Sequence, residues 1–130
     1  MMHSPLTKLK VGSVIHLENG GKGLVFSLKL VNHPVNMPEI PAFAVRYEGQ
    51  VLVYKNICGH IAINLDFVEG QFFDEDGEHI VCSTHGALYE ASSGKCLGGP
   101  CYGVGLEAIE AIVEDDVLYI TDQTVADIIK

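Results

Sequence analysis

Apolar and polar residues alternate along several stretches of the chain, and this alternation constrains the fold more than any other feature. In residues 23–31, for example, Leu24, Phe26 and Leu28 fall on one face of an extended chain, whereas Ser27 falls on the other. A period of two residues is typical of β-strands with one buried face. Clusters of Gly, Asn and Asp separate the alternating runs, as expected for turns between strands. We therefore predict an all-β protein.

The alternating runs also predict which strands are joined directly. The turn-rich segment ENGGKG would connect residues 13–17 and 23–31 as a hairpin. A second hairpin is predicted about a turn at residues 48–49, and a third about residues 114–116. We expect the final stretch, residues 124–130, to end the chain as a short helical turn.

Length and charge limit the class of protein further. A chain of 130 residues with 48% hydrophobic residues can bury one compact core, so we expect a single domain over residues 1–130. No 18-residue apolar run and no secretory leader are found, which predicts a soluble, cytoplasmic protein. Eight Lys and Arg against 17 Asp and Glu give a net charge of -9. This charge disfavours nucleic acid and membrane surfaces and favours a protein partner with a basic docking face.

Two Cys/His pairs are the strongest candidates for a functional site. Cys58 and His60 form a C-x-H pair, and Cys82 and His85 form a C-x-x-H pair, each after a predicted strand. Thiols in a reducing compartment are used for metal binding more often than for disulfides. Two thiolates and two imidazoles suit zinc, or a [2Fe–2S] centre with both cysteines on one iron and both histidines on the other. The ligand chemistry alone leaves both possibilities open.

The residues around the second pair favour the iron–sulfur alternative. In the stretch CSTHGALYEASSGKCLGGP, Gly86 follows the histidine directly, an aromatic residue, Tyr89, follows four residues after it, and a Gly-Gly-Pro segment lies at residues 98–100. This order of elements resembles the Rieske family, with the strongest likeness over residues 43–101. The resemblance implies an all-β Rieske-type fold.

That fold has an antiparallel β-sandwich base and a smaller cluster-binding lobe. The base would comprise residues 1–55 and 101–122, and the lobe residues 56–100.

The resemblance also assigns roles to the four ligands and to their surroundings. It implies one [2Fe–2S] cluster per chain, with Cys58 and Cys82 on the inner iron and His60 and His85 on the outer iron. Residues 98–100 would form a loop that covers the cluster.

A protein of this type would carry single electrons as a soluble ferredoxin. We expect its partners to be redox proteins, a flavin reductase as donor and a terminal oxygenase as acceptor, with no small-molecule substrate and no catalytic residue. The chain is also too short to add the mononuclear-iron domain of an oxygenase α-subunit. Two alternatives stay open: a non-catalytic Rieske-fold subunit of a larger reductase or oxygenase, and a zinc-stabilised interaction module.

Departures from the family pattern predict a low reduction potential. High-potential members join their cluster loops by a disulfide at positions that here hold Ile63 and Thr84. They also carry a serine and a tyrosine after the second histidine, where this chain has Ala87 and Tyr89. We expect a midpoint in the lower part of the Rieske range of about -150 to +300 mV.

The remaining cysteines, Cys96 and Cys101, lie at the two ends of the segment CLGGPC. They could form a short-range disulfide or an additional metal pair. Because cysteines outside a motif often behave as small buried hydrophobic residues, we expect that role for both.

Overall fold

The computed structural model describes residues 8–31, 39–58, 64–66, 68–82, 86–99, 101 and 103–129. Within these ranges every regular element is a β-strand, which confirms the predicted all-β class. The strands are β1 Leu9–Ser13, β2 Leu24–Leu30, β3 Ile40–Tyr47, β4 Gln50–Lys55, β5 His79–Val81, β6 Leu88–Glu90, β7 Cys96–Gly98, β8 Ala111–Glu114, β9 Val117–Ile120 and β10 Val125–Ile129.

The ten strands form three antiparallel sheets. One has the order β1-β9-β8, a second β10-β2-β3-β4, and a third β5-β6-β7. The third sheet is built from short strands in the part of the chain that contains Cys82. It therefore lies within the predicted cluster-binding lobe.

Two of the predicted hairpins are confirmed, and their turns explain why they could be predicted. Glu48 and Gly49, with φ of 48° and 82°, join β3 to β4, and Asp115 and Asp116, with φ of 52° and 62°, join β8 to β9. Two successive residues with positive φ match the right-handed twist of the flanking strands. Gly and Asp adopt this conformation more easily than most residues.

The predicted hairpin between residues 13–17 and 23–31 is wrong. The first strand, β1, precedes Val14 and pairs with β9, whereas β2 pairs with β3 and β10. Val14 and Leu17 are buried as anchors of a loop in which the Leu17 amide donates to the Val14 carbonyl. The Arg46 guanidinium holds this loop by donating to both carbonyl oxygens, at 3.0 Å and 2.8 Å.

The predicted helical turn at the C-terminus is also wrong, because residues 125–129 form strand β10. This strand pairs with β2 and places Val125 opposite Leu30 and Ile128 opposite Leu28. Since β3 occupies only one edge of β2, the other edge is available to a strand rich in β-branched residues.

The central sheet buries a different core on each of its faces. Along β3, Ala42 and Ala44 belong to a core shared with β1 and β9, whereas Phe43 and Val45 belong to a core shared with β5 and β6. Successive side chains of a strand point to opposite faces, so β3 lies between the two cores. The Phe43 ring stacks on Phe72 with 3.8 Å between centroids. Aromatic packing thus anchors the third sheet to the face of the central sheet that lies away from β1 and β9.

Among the described residues, no helix is long and apolar enough to cross a membrane. The division into base and lobe stays a prediction. The proposed base range of 101–122 stops short of β10, which adds to the central sheet.

Candidate metal centre

Cys58 and Cys82 lie in the same buried core, although 24 residues separate them along the chain. Cys58 follows the end of β4 at Lys55, and Cys82 follows β5 directly. Their side chains are 3% and 0% exposed, and both belong to the core that β3 shares with the third sheet. The structure therefore brings together the two predicted cysteine ligands.

The two predicted histidine ligands, His60 and His85, lie outside the described residues. The same is true of Ile63 and Thr84, the positions that distinguish this sequence from high-potential relatives. Among the residues that the structure does describe, no group of three or more His, Cys, Asp or Glu side chains is placed to hold a metal ion.

The backbone on either side of residues 83–85 forms a closed turn. The Gly86 amide donates to the Cys82 carbonyl at 2.7 Å, and the Cys82 amide donates to the Ala87 carbonyl at 2.9 Å. Gly86 has a φ of 75°, a conformation that glycine adopts without steric cost. This turn fixes the two ends of the segment that carries His85.

The predicted covering loop packs directly against this turn. Gly99 has a φ of 77°, and a Cβ atom at this position would lie 2.8 Å from the Gly86 carbonyl oxygen and 3.0 Å from the Ala87 Cα. At Gly98 an added Cβ would have no atom within 4 Å. Gly99 is therefore the residue whose missing side chain permits the close approach, while Pro100 lies outside the described residues.

Tyr89 places a hydroxyl group beside one of the two thiols. Its side chain is fully buried, and its hydroxyl oxygen lies 3.7 Å from Cys58 Sγ. Ala87, which is also buried, offers no hydroxyl. The Tyr89 hydroxyl can therefore donate a hydrogen bond to the Cys58 sulfur.

Cys96 and Cys101 form a disulfide, with 6.0 Å between their Cα atoms. The expectation that both act as small buried hydrophobic residues is wrong. Cys101 is fully buried, but it is covalently linked to the start of β7. The Gly-Gly-Pro sequence between the two cysteines, which favours a tight reversal of the chain, was the signal for this pairing.

An acidic surface lies near the third sheet, around Tyr47. Partial burial raises the pKa of Tyr47, and the carboxylates of Glu78, Glu48 and Glu90 raise it further. The Tyr47 ring stacks on Phe73, with 6.1 Å between centroids. This concentration of negative charge is consistent with the predicted preference for a basic partner.

His79 pairs with a carboxylate at the surface of the third sheet. Its Nδ1 lies 3.3 Å from a carboxylate oxygen of Asp74 on a partly exposed surface. Burial opposes ionisation of Asp74, but hydrogen bonds from the Glu78 and His79 amides outweigh it and lower the pKa of that carboxyl.

The described part of the site fits an iron–sulfur cluster. Thiolates are the soft ligands that such clusters require, and here two thiols lie in one water-excluded core with a hydroxyl group beside one sulfur. Gly99 allows its backbone segment to approach Gly86 and Ala87 closely, next to Cys82.

Comparison with known proteins agrees with this fit. The sequence model of the Rieske [2Fe–2S] domain matches residues 10–110, most of the chain. The chain belongs to the Rieske [2Fe–2S] family. Its cofactor is a [2Fe–2S] cluster, and the cluster exchanges single electrons, so the chain is an electron-transfer protein.

Solved structures confirm the predicted Rieske-type fold. The ferredoxin of Sphingomonas yanoikuyae B1 is 22% identical with a TM-score of 0.63, and the match covers 89% of this chain and 99% of that one. The ferredoxin of carbazole 1,9a-dioxygenase from Nocardioides aromaticivorans IC177 is 18% identical with a TM-score of 0.64, covering 89% and 98%. A chain in the complex of reduced oxygenase and oxidised ferredoxin of carbazole 1,9a-dioxygenase is 20% identical with a TM-score of 0.65, covering 94% and 99%. A search of curated proteins found no match.

Proposed function

We propose that this Rieske protein is a ferredoxin whose cluster is bound by Cys58 and Cys82 on one iron and by His60 and His85 on the other. The observation that carries the proposal is the burial of both cysteines in one core, inside the range that the family model matches. The closed turn from Cys82 to Ala87 supports a fixed position for the second pair.

The residues around the cluster would set its potential. When bound, the [2Fe–2S] group supplies a site for one electron. The Tyr89 hydroxyl can donate to the Cys58 sulfur and so favour the reduced state, whereas Ala87 makes no such donation. The acidic residues of the lobe disfavour the additional negative charge. The balance supports a midpoint in the lower part of the Rieske range.

The imidazoles of His60 and His85 would each bind through one ring nitrogen. The other ring nitrogen can hold or release a proton, which would make the potential depend on pH.

The partners that we propose are a flavin reductase as electron donor and a terminal oxygenase as acceptor, in the cytoplasm. The net charge of -9 and the carboxylates around Tyr47 support docking to a basic face. One structural neighbour comes from a complex between an oxygenase and its ferredoxin, which supports the same kind of assembly.

The test of the cluster proposal is electron paramagnetic resonance of the dithionite-reduced protein, with iron and sulfide counted on the same sample. We expect two irons per chain and the rhombic signal of mixed Cys/His ligation. His60→Gln and His85→Gln should each abolish or alter the signal, whereas His79→Gln should leave it unchanged. Zinc without iron would instead indicate an interaction module, and a metal-free protein with all four ligands intact a structural subunit.

The docking proposal is tested by electron transfer to a basic c-type cytochrome as a model acceptor. Glu78→Gln/Glu90→Gln should slow the reaction at low salt and weaken its dependence on ionic strength. The matched control is Asp115→Asn/Asp116→Asn, which removes the same charge from the β8–β9 turn. Equal effects of the two double variants would rule out a specific role for the surface around Tyr47.

A further inference from the structure

The Cys96–Cys101 disulfide encloses the segment whose Gly99 packs against Gly86 and Ala87, directly after the second Cys/His pair. Cys96 begins β7, and Cys101 is fully buried in the core that also contains Cys58 and Cys82. Cys101 Sγ lies 3.2 Å from the Gly98 carbonyl oxygen, so the disulfide contacts the backbone of the segment. The disulfide thus ties the covering segment to the floor of the candidate metal centre.

Few other interactions hold this segment in the described structure. β7 is an edge strand of three residues, and its pairing with β6 shifts register between Leu88 and Tyr89. Leu97, in the middle of β7, is 46% exposed. Short, exposed edge strands open locally at low free-energy cost, so a covalent tie at this place has a large effect on the position of Gly99.

We propose that Cys96 and Cys101 form a thiol–disulfide switch that determines how tightly the covering segment closes over the cluster and so how long the cluster is retained. The proposal rests on the proposed cluster site. In the oxidised state the segment is held against Gly86 and Ala87. In the dithiol state the covalent tie is lost, and solvent and chelators reach the cluster loops more often.

The reductant that fits this site is a protein or small molecule with two neighbouring thiols. One of its thiolates attacks Cys96 Sγ, because the Cys96 side chain is partly exposed whereas Cys101 is buried. The Cys96–Cys101 bond breaks, Cys101 leaves as a thiolate and takes up a proton, and a mixed disulfide remains on Cys96. The second thiol of the reductant then displaces Cys96, which also takes up a proton. Two electrons are transferred, the chain gains two thiols, and the reductant becomes a disulfide.

The compartment in which the protein works determines the conditions under which the switch operates. Disulfides that occur in reducing compartments are mostly transient or redox-sensing. In the predicted cytoplasmic setting, the pair would close only when thiols become oxidised. The retention of the cluster would therefore increase under the conditions that damage exposed iron–sulfur centres.

The experiment compares the rate of cluster loss in a chelator before and after treatment of the intact protein with dithiothreitol, followed by its removal. Alkylation and mass spectrometry establish the state of the pair in each sample. We expect the reduced protein to lose its visible absorbance about tenfold faster than the oxidised protein. The variant Cys96→Ser/Cys101→Ala should lose it at the rate of the reduced protein and should not respond to dithiothreitol.

Three results would overturn the switch: equal rates for the two wild-type states, a double variant that still responds to dithiothreitol, or a pair that cannot be reduced while the chain is folded. Hydrogen exchange at the Leu97 and Gly99 amides provides a second measurement that does not depend on iron. These amides should exchange faster in the reduced state. A protein without iron or sulfide would refute the proposed cluster site, and amide exchange would then still decide whether the disulfide holds the segment.

Discussion

The Tyr89 hydroxyl oxygen lies 3.7 Å from Cys58 Sγ, in a core where both side chains are shielded from water. The two residues come from different sheets, since Cys58 follows β4 of the central sheet and Tyr89 is the central residue of β6 in the third sheet. Their contact therefore depends on the packing of the third sheet against β3 and β4. It also connects the fold to the electronic properties of the site, because a hydroxyl group that donates to a thiolate stabilises additional negative charge.

This contact predicts that Tyr89→Phe lowers the midpoint potential. A hydrogen bond worth about 0.5–1.5 kcal/mol in the reduced state corresponds to about 20–60 mV for a one-electron couple. Redox titration of the variant measures the shift. The control is Tyr54→Phe, because the Tyr54 hydroxyl donates to the Ala91 carbonyl rather than to a sulfur. An unchanged or higher midpoint in Tyr89→Phe would show that the hydroxyl does not act on the thiolate.

Gly99 and its neighbour Gly98 provide a matched pair for testing the close approach of the covering segment. Gly99→Ala forces an alanine into a positive φ and places its methyl group 2.8 Å from the Gly86 carbonyl oxygen. We expect it to lower the free energy of unfolding by about 2 kcal/mol or more and to speed cluster loss. Gly98→Ala should change stability by less than about 0.5 kcal/mol, because its Cβ meets no atom within 4 Å. Similar denaturation midpoints for the two variants would contradict the packing described here.

The two hairpins that could be predicted are specified by their own turns. Gly49, Asp115 and Asp116 adopt positive φ more easily than most residues, and alternating residues flank each turn. Strand, turn and pairing are therefore all encoded within about 15 residues. The pairings of β1 with β9 and of β10 with β2 are not encoded locally. They depend on which sheet edges remain open after the hairpins form, and no local pattern carries that information.

In the candidate site, too, some features could be predicted from the sequence and others could not. The Cys/His spacings predict Cys58 and Cys82 as ligands because ligand chemistry restricts which residues can serve. The structure places both thiols in one core, and their role as ligands stays a prediction. The sequence allows the Cys96–Cys101 bond but does not favour it, because a pair of cysteines can take several roles until the distance between them is known. The role of Asn56 had no signal in the sequence at all, since its partners become neighbours only after folding.

Asn56 is fully buried and links the end of β4 to the loop that follows the first Cys/His pair. Its Nδ2 donates to Asp66 Oδ1, and its Oδ1 accepts from the Leu65 amide, both at 2.8 Å. Asp66 Oδ2 in turn accepts from the Gly70 amide at 2.9 Å. These three hydrogen bonds hold the loop close to Cys58.

Removing the Asn56 side chain should therefore destabilise the protein. Asn56→Ala leaves the buried Leu65 amide without its acceptor, and we expect a loss of about 2–3 kcal/mol in the free energy of unfolding. Asn56→Asp should be at least as harmful, because it places a second carboxylate against Asp66. Urea unfolding measures both effects.

The exchange variant Asn56→Asp/Asp66→Asn provides the decisive comparison. It keeps one amide and one carboxyl group in the pair, so all three hydrogen bonds can form. Donor and acceptor are reversed only in the bond between the two side chains, because the Leu65 and Gly70 amides still donate. We expect it to be more stable than Asn56→Asp alone. If adding Asp66→Asn to Asn56→Asp restored no stability, the two side chains would not act as a unit.

The raised pKa of Tyr54 predicts that the protein loses stability at alkaline pH. Its side chain is 2% exposed, and burial, followed by the charge of Glu90, raises its pKa to about 12. In the unfolded chain a tyrosine titrates near pH 10, so above that value the unfolded state releases a proton that the folded state retains. The stabilising contribution is therefore complete below about pH 10 and is lost as the pH rises towards about 12, by up to about 2 kcal/mol.

Tyr54→Phe separates this titration from the packing of the ring. At neutral pH the variant should be less stable by about 1 kcal/mol, because the hydrogen bond to the Ala91 carbonyl is lost. Between about pH 10 and about pH 12 its disadvantage should shrink and then reverse, since the variant has no phenol to ionise at this position. Tyr119→Phe, at a partly exposed ring of β9, is the control for the same chemical change. Urea midpoints across this range give the comparison, and a constant difference between wild type and Tyr54→Phe would mean that Tyr54 does not govern the alkaline transition.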